Sequence, residues 1–571
     1  MILYAHGGQF NTTHDNPIKE RKERVEEMKK LNRLLAIGLI ITMCVGMFTG
    51  CSSNNSKGNE GIATAGTATA GTDGGNSADS ITIGVNSNWN DISPFGTMSS
   101  TRTTVMYNFY EFMAVRKDFG AELGDMELEC AKSVTKVDDL TYEIEMYDYI
   151  KDSAGNAITA ADYAWSAMTM KQGGNYEKLT SYLENVKAID DYKVEIKLSD
   201  NPLGTIEYVL NIVPVISKAA YEASGDGMTI KPITTAPYIV DEMVPGSSLT
   251  LVKNEKYWQT DDGAKSALAK QNVGKIIYKV VTEASQMATA LQTGDVDLAH
   301  YMDTTAIDAF YANETATTGY IVEKLNSNMM FTLLPNMSDQ SVVSQSKELR
   351  EAIYYAIDAN ACVKAACGGY GSILSAMANP LSADFDASWE GRDYYAYNVD
   401  TAKDKLKESG VDLSGKTLKI LTMPAFNLDK VAQVIQAELE DIGIRAEIVS
   451  VEDALYQTYK LDPTQFDLIL DIKGTDDFCT FPWSLLFDNR SFDGVTANFI
   501  SDADLQTKLE AALSTNTHSQ ETVKAFEQAL EDNAYCYGLY TMSQYVVAKD
   551  DKISKFDYFA GSYILPGCCE Y

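Results

Sequence analysis

Histidine is scarce in this chain: only His6, His14, His300 and His518 occur in 571 residues. The first two precede a segment that reads as a removable export signal. Two scattered histidines do not make a His-rich metal site, and they argue against a Ser-His or Cys-His catalytic pair. No GxSxG or HExxH phrase is present, so the sequence offers neither a nucleophile elbow nor a zinc-protease helix. The nine cysteines include no CxxC spacing. Cys44 lies in the signal, Cys51 follows it, and the odd number left over builds no disulfide framework. Vicinal Cys568-Cys569 read as free thiols, with a redox or soft-metal role as the alternative. Positive charge is also short, with 47 Lys and Arg against 80 Asp and Glu and a net charge of −33. That excludes electrostatic binding of DNA, RNA or an anionic membrane surface.

What is present is enough chain for two or more lobes. Met28 to Arg33 is a basic run and Leu34 to Phe48 an apolar one, too short for a comfortable transmembrane helix. Residues 1–27 do not fit an export signal and read as an over-extended start, with Met28 as the initiator. Residues 28–50 are then the signal peptide. Thr49-Gly50-Cys51-Ser52 resembles the lipobox of bacterial lipoproteins. This implies diacylglyceryl attachment at Cys51 and a lipid anchor on the extracytoplasmic face of the cell membrane. Residues 51–79, rich in Ser, Asn, Gly, Thr and Ala, read as a flexible tether.

Folded sequence begins near Ser80. Lys231 to Trp258 alternates as strand, turn, strand. Tyr238 and Val240 share one face and Leu249 and Leu251 follow the turn, where Pro245-Gly246 supplies type II geometry. Thr159 to Asp162 reads as a boxed helix start. Ile276–Val281, Ala284–Gln292, Gly294 and Val296–Leu298 read as a βαβ unit with a glycine cap. Ser346–Asp358 is an amphipathic helix with Leu349, Ile353, Ala356 and Ile357 on one side. From 400 to 472, helices and strands alternate, which predicts a mostly parallel sheet. Gly368-Gly369-Tyr370-Gly371 lacks a nucleotide-binding context and reads as loop geometry.

Several phrases, in order, resemble one family. Tyr110-Glu111-Phe112-Met113 is similar to its Tyr-Glu-x-Leu phrase. Asp152 to Tyr163 is similar to D-G-x-P-[IV]-T-A-x-D-V, with Ala157 in place of proline. Leu291 to Asp297 is similar to L-x-x-G-x-x-D, and Ser346 to Asp358 to x-R-x-A-I-x-x-A-I-D. Together they resemble the extracytoplasmic solute-binding proteins of family 5, the oligopeptide/dipeptide-type receptors of ABC importers. The resemblance implies an α/β, two-lobed periplasmic-binding-protein-like fold of the large class, with an extra subdomain in lobe I and the ligand cleft between lobes. Lobe I is expected over 80–325, lobe II over 326–533, and a return to lobe I over 534–571. The implied partners are a small peptide or peptide-like solute and ABC permease and ATPase subunits. No nucleic acid, cofactor, metal or catalytic residue is implied.

In open α/β sheets, ligands lie beyond the carboxyl ends of parallel strands. That criterion selects Asn86, Ser87, Asn88 and Trp89, then Phe426 in the loop 424–427, then Thr475, Asp476 and Asp477, with Trp483 nearby. The resemblance places Asp476 or Asp477 where peptide-binding members pair the ligand's α-ammonium; a turn-capping role is the alternative. Trp89 and Trp483 either stack on ligand or fill lobe cores. Two other functions stay open: an exported hydrolase, and a sensing or adhesive surface lipoprotein without a transporter.

Overall fold

The computed structural model describes residues 78–86, 89–96, 105–116, 121–199, 203–312, 314–474, 478–490, 498–559 and 563–571. The signal, Cys51 and most of the tether lie outside the described residues, as do Ser87, Asn88, Thr475, Asp476 and Asp477. Among the described residues, no helix is long and apolar enough to cross a membrane.

One twelve-stranded sheet runs through both lobes. In lobe I, Ala78–Val85 is central and pairs in parallel with Val273–Val280 on one side and Leu298–Met302 on the other. The helix Ala284–Thr293 makes the crossover between those two flanking strands, and Gly294, at φ 86°, ends it. This is the βαβ unit read from the sequence, with the first strand of the fold inserted between its two strands.

The hairpin forms as expected. Tyr238–Val244 and Ser248–Lys253 pair antiparallel. Gly246 sits at φ 68° and Ser247 donates to Val244 O at 3.0 Å, closing the turn. Tyr238, Val240, Leu249 and Leu251 are buried in the lobe I core. The phrase after the hairpin is anchored too: Trp258 Nε1 donates to Glu111 Oε2 at 2.7 Å, and the Tyr257 hydroxyl donates to the other oxygen.

The extra subdomain is a four-stranded antiparallel sheet, in the order Ala131–Lys136, Thr141–Met146, Lys193–Leu198, Leu183–Asp190. Ala160–Gly173 packs on it around a separate core. Asp162 Oδ2 accepts the Thr159 amide at 2.9 Å, the boxed start expected from the sequence.

Lobe II departs from the expected sheet. Leu418–Thr422 pairs in parallel with Ala446–Ser450 and Leu468–Gly474. Beyond these three strands the sheet turns antiparallel, through Met329–Pro335 and then Tyr537–Lys549. The βαβαβ alternation covers only the parallel part; the other strands come from outside it in sequence. The helix expected over 346–358 forms as Lys347–Tyr355, capped by Ser346, and ends three residues early because the Asp358 side chain accepts the Asn360 amide and starts a separate helix, Ala359–Cys367. Leu349, Ile353, Ala356 and Ile357 are buried as read. Gly368 and Gly369, at φ 67° and 99°, end the second helix, so this glycine run is loop geometry.

The return to lobe I is later than residue 534. Tyr537 to Met542 still pairs with lobe II strands, through Leu333 and Gly371. From Ser543 the same strand pairs with Tyr320–Asn326 in lobe I. The crossover therefore falls inside one continuous strand, beside the other crossover at Ser327-Asn328.

Candidate functional site

A cavity of about 280 Å³ sits against the two crossovers. Met329, Met542, Ser543 and Gln544 come from the crossover strands themselves. Asn86 follows the carboxyl end of Ala78–Val85. Tyr301, Met302, Asp303 and Thr304 lie at the carboxyl end of Leu298–Met302, and Phe426 follows Leu418–Thr422. All three of these strands lie in the parallel parts of the sheet, so their ends from both lobes converge on one space. Loops there are free to carry binding groups because the strand ladder has already ended.

The chain is held in an uncommon backbone conformation on both sides of the cavity. Tyr301 has φ 61°, and Phe426 and Asn427 have φ 55° and 56°. For residues with a Cβ the left-handed region costs roughly 1–2 kcal/mol. Neighbours fix the Phe426 loop: Asn427 Nδ2 donates to Ala366 O at 2.8 Å. The Phe426 ring meets Phe331 edge-on at 5.7 Å and is 43% exposed. Behind it, Phe331 stacks on Tyr540 at 4.7 Å. Asp303 is engaged locally, with Oδ1 accepting the Thr305 amide at 2.8 Å. The wall is thus mainly thioether and aromatic, adaptable to apolar groups of varied shape.

Of the residues selected from the sequence, Asn86 and Phe426 are brought together here. Trp89 is 4% exposed in the lobe I core, and its carbonyl accepts the Gly246 amide at 2.8 Å. The hairpin turn therefore props the loop that carries Asn86. Trp483 is fully enclosed in the lobe II core, with Nε1 donating to Met377 O at 2.6 Å and its ring 4.9 Å from Phe526. For both tryptophans, core packing is the alternative that the structure adopts. The loop 301–304 was missed, although a βαβ unit implies a parallel second strand whose carboxyl end faces the same crevice. The crossover methionines carried no sequence signal. Among the described residues, no three His, Cys, Asp or Glu side chains are placed to hold a metal ion.

The lobes are also in contact away from this cavity. Lys178 of lobe I, nearly buried, has Nζ over the rings of Tyr208 in its own lobe and Phe481 in lobe II, at 5.3 and 4.7 Å from their centroids.

Known proteins share this architecture. The oligopeptide-binding protein AppA of Bacillus subtilis, solved with a nonapeptide, superposes with a TM-score of 0.67 at 17% identity over 86% of this chain and 98% of that one. The dipeptide-binding protein of Pseudoalteromonas sp. SM9913, solved with Met-Leu, gives 0.68 at 16% identity over 86% and 99%. The glutathione-binding protein GsiB of Escherichia coli K12 is 25% identical over 389 residues, covering 66% of this chain and 70% of that protein. Residues 125–493 match the family model described as bacterial extracellular solute-binding proteins, family 5, middle region. With two lobes, a double crossover and most of its length within that match, the chain belongs to the bacterial extracellular solute-binding proteins of family 5.

Proposed function

We propose that this chain is the solute-binding receptor of an ABC importer, capturing a peptide-like ligand by hinge closure and delivering it to a membrane permease. The observation that carries this is the cavity at the double crossover, where the carboxyl ends of parallel strands from both lobes meet. Closure about a pair of strands encloses ligand between two rigid bodies and changes the face presented to a permease. Three of the similar proteins bind glutathione, a nonapeptide and Met-Leu, all peptides or peptide-like. The family and these neighbours are binding proteins rather than enzymes, so saturable binding without turnover is expected.

Asn86 and Phe426 would contact ligand in the cavity, with Tyr301 opposite. Asp476 or Asp477 would pair an α-ammonium. Cys51 would carry the lipid that holds the receptor on the extracytoplasmic face of the bacterial cell membrane, with the polar segment after it as the tether.

Native mass spectrometry of protein purified without denaturation tests the reading. A ladder of retained peptide masses is expected. One discrete non-peptide mass would overturn it.

A further inference from the structure

The wall of the cavity at the double crossover is set by strand register. Phe331 and Tyr540 are partners on neighbouring strands and stack at 4.7 Å. Met329 and Met542 lie two residues further toward the crossover along those two strands. Both stretches are regular strand, with Met329 paired to Gly474 and Met542 to Gly371. Side chains alternate across a strand, so all four occupy one face of the sheet. Phe331 and Tyr540 are enclosed in the lobe II core, whereas Met329 and Met542 are half-buried and line the cavity. The apolar core of lobe II therefore runs out into the cavity as two thioethers. Phe426, with its exposed ring edge-on to Phe331, extends the same wall.

Of the other lining side chains, Asn86, Thr304 and Gln544 are neutral and polar. Among the described lining residues there is no lysine or arginine. The one carboxylate, Asp303, is exposed, and its Oδ1 is engaged by both the amide and the hydroxyl of Thr305, at 2.8 and 2.6 Å. A charged side chain set against the thioether and aromatic wall gives up hydration without a counter-charge there, whereas an apolar one gains by leaving water. The neutral amides and hydroxyl suit the peptide groups of a solute, which are alike in every peptide and select no side chain. Selection therefore falls on the apolar wall. Methionine is unbranched and turns about three bonds, so such a wall re-packs around different shapes while staying apolar.

We propose that this cavity takes an uncharged, apolar side chain of the solute, selecting by polarity and tolerating shape, with Met329, Met542 and Phe426 as its specificity-determining residues. The inference rests on the peptide-receptor reading and names its substrate class: peptides carrying an aliphatic, thioether or aromatic side chain.

Calorimetry with the purified full chain tests it. The probes are alanine tripeptides in which each position in turn is leucine, methionine, phenylalanine or asparagine, the last a polar near-isostere of leucine. At one position leucine should bind about ten-fold or more tightly than asparagine, the ratio expected for burying one apolar side chain. Leucine, methionine and phenylalanine at that position should agree within about five-fold. Met329→Gln and Met542→Gln nearly keep the shape of the wall but add an amide to it, and each should narrow the leucine-to-asparagine ratio by about three-fold or more. The wild-type ratios test the inference even where a variant does not fold. Asparagine equal to leucine at every position, no binding by any of these peptides, a preference above about ten-fold among the three apolar side chains, or a ratio unchanged in both folded variants would overturn it. Failure of the receptor reading is read separately, as the absence of a peptide ladder in native mass spectra. A ladder with no enrichment in apolar residues leaves that reading standing and overturns this one.

Discussion

Gly204 lies directly beneath the ring of Phe478, so that a Cβ at Gly204 would stand 2.7 Å from Cδ2 of that ring. Gly204 belongs to lobe I and Phe478 to lobe II, so this close approach exists only while the lobes are together. Gly204→Ala should therefore disfavour closure. The substitution also places a Cβ at φ 66°, costing roughly 1–2 kcal/mol in either lobe arrangement. Small-angle scattering separates the two effects. At a ligand concentration just above the wild-type Kd the wild type should contract, whereas the variant should stay more expanded and bind about ten-fold more weakly, because its competent state is less populated. Contraction identical to wild type would remove Gly204 from the closure mechanism.

Much of this geometry was legible in the sequence, because local rules govern it. Pro245-Gly246 announced the hairpin turn, and Gly294 marked a helix end where the backbone does take positive φ. Asn86 and Phe426 followed from the rule that ligands lie beyond parallel strand ends. The crossover at Met542-Ser543 was not legible, since a strand that changes partners keeps one continuous apolar pattern and has no turn residue to mark the change. The burial of Glu207 and Asp384 was illegible for another reason: a sequence shows an acid but not the packing around it.

Phe426 combines a left-handed backbone with an exposed ring in the cavity wall. Phe426→Gly removes the left-handed penalty but also the edge contact with Phe331. These effects oppose one another at about 1 kcal/mol each, so the thermal midpoint should stay within about 4 °C of wild type. Ligand retention should fall sharply, because the exposed ring forms part of the cavity wall. Differential scanning calorimetry paired with native mass spectrometry reads both quantities. A variant that is unchanged in stability and still fully loaded with ligand would exclude Phe426 from the site.

Trp483 should behave in the opposite way. Its side chain is enclosed among Met377, Phe526 and the lobe II core, and its indole N–H is satisfied by a backbone carbonyl. Trp483→Ala should cost roughly 3–5 kcal/mol through the cavity it leaves. Trp483→Phe should cost less but leave the Met377 carbonyl without its donor. In denaturant titrations both variants should unfold earlier, with the alanine variant the less stable. Under conditions where the phenylalanine variant is folded, its affinity for ligand should match wild type. A selective loss of affinity in a stably folded variant would restore the ligand-stacking alternative for this residue.

The pH dependence of stability follows from carboxyls that folding removes from water. Burial pushes the pKa of Glu438 up to about 7, and that of Glu527 to about 7 despite its pairing with Arg392. Burial raises Glu111 as well, against the opposing hydrogen bonds from Trp258 and Tyr257. A carboxyl with a raised folded-state pKa loses its proton more readily from the unfolded chain. Its stabilising contribution is complete below the unfolded value, near 4.5, and is lost as the pH rises through about 7. Surface acids with lowered pKa values, such as Asp386 and Asp462, act with the opposite sign but only at more acidic pH. The unfolding temperature should therefore fall between about pH 5 and pH 8, and Glu438→Gln should flatten that slope. Self-repulsion of a chain with a net charge of −33 acts in the same direction, so added salt should raise the alkaline end while leaving the Glu438-dependent part in place. Stability that increases across this interval would show that these carboxyls ionise freely in the folded protein.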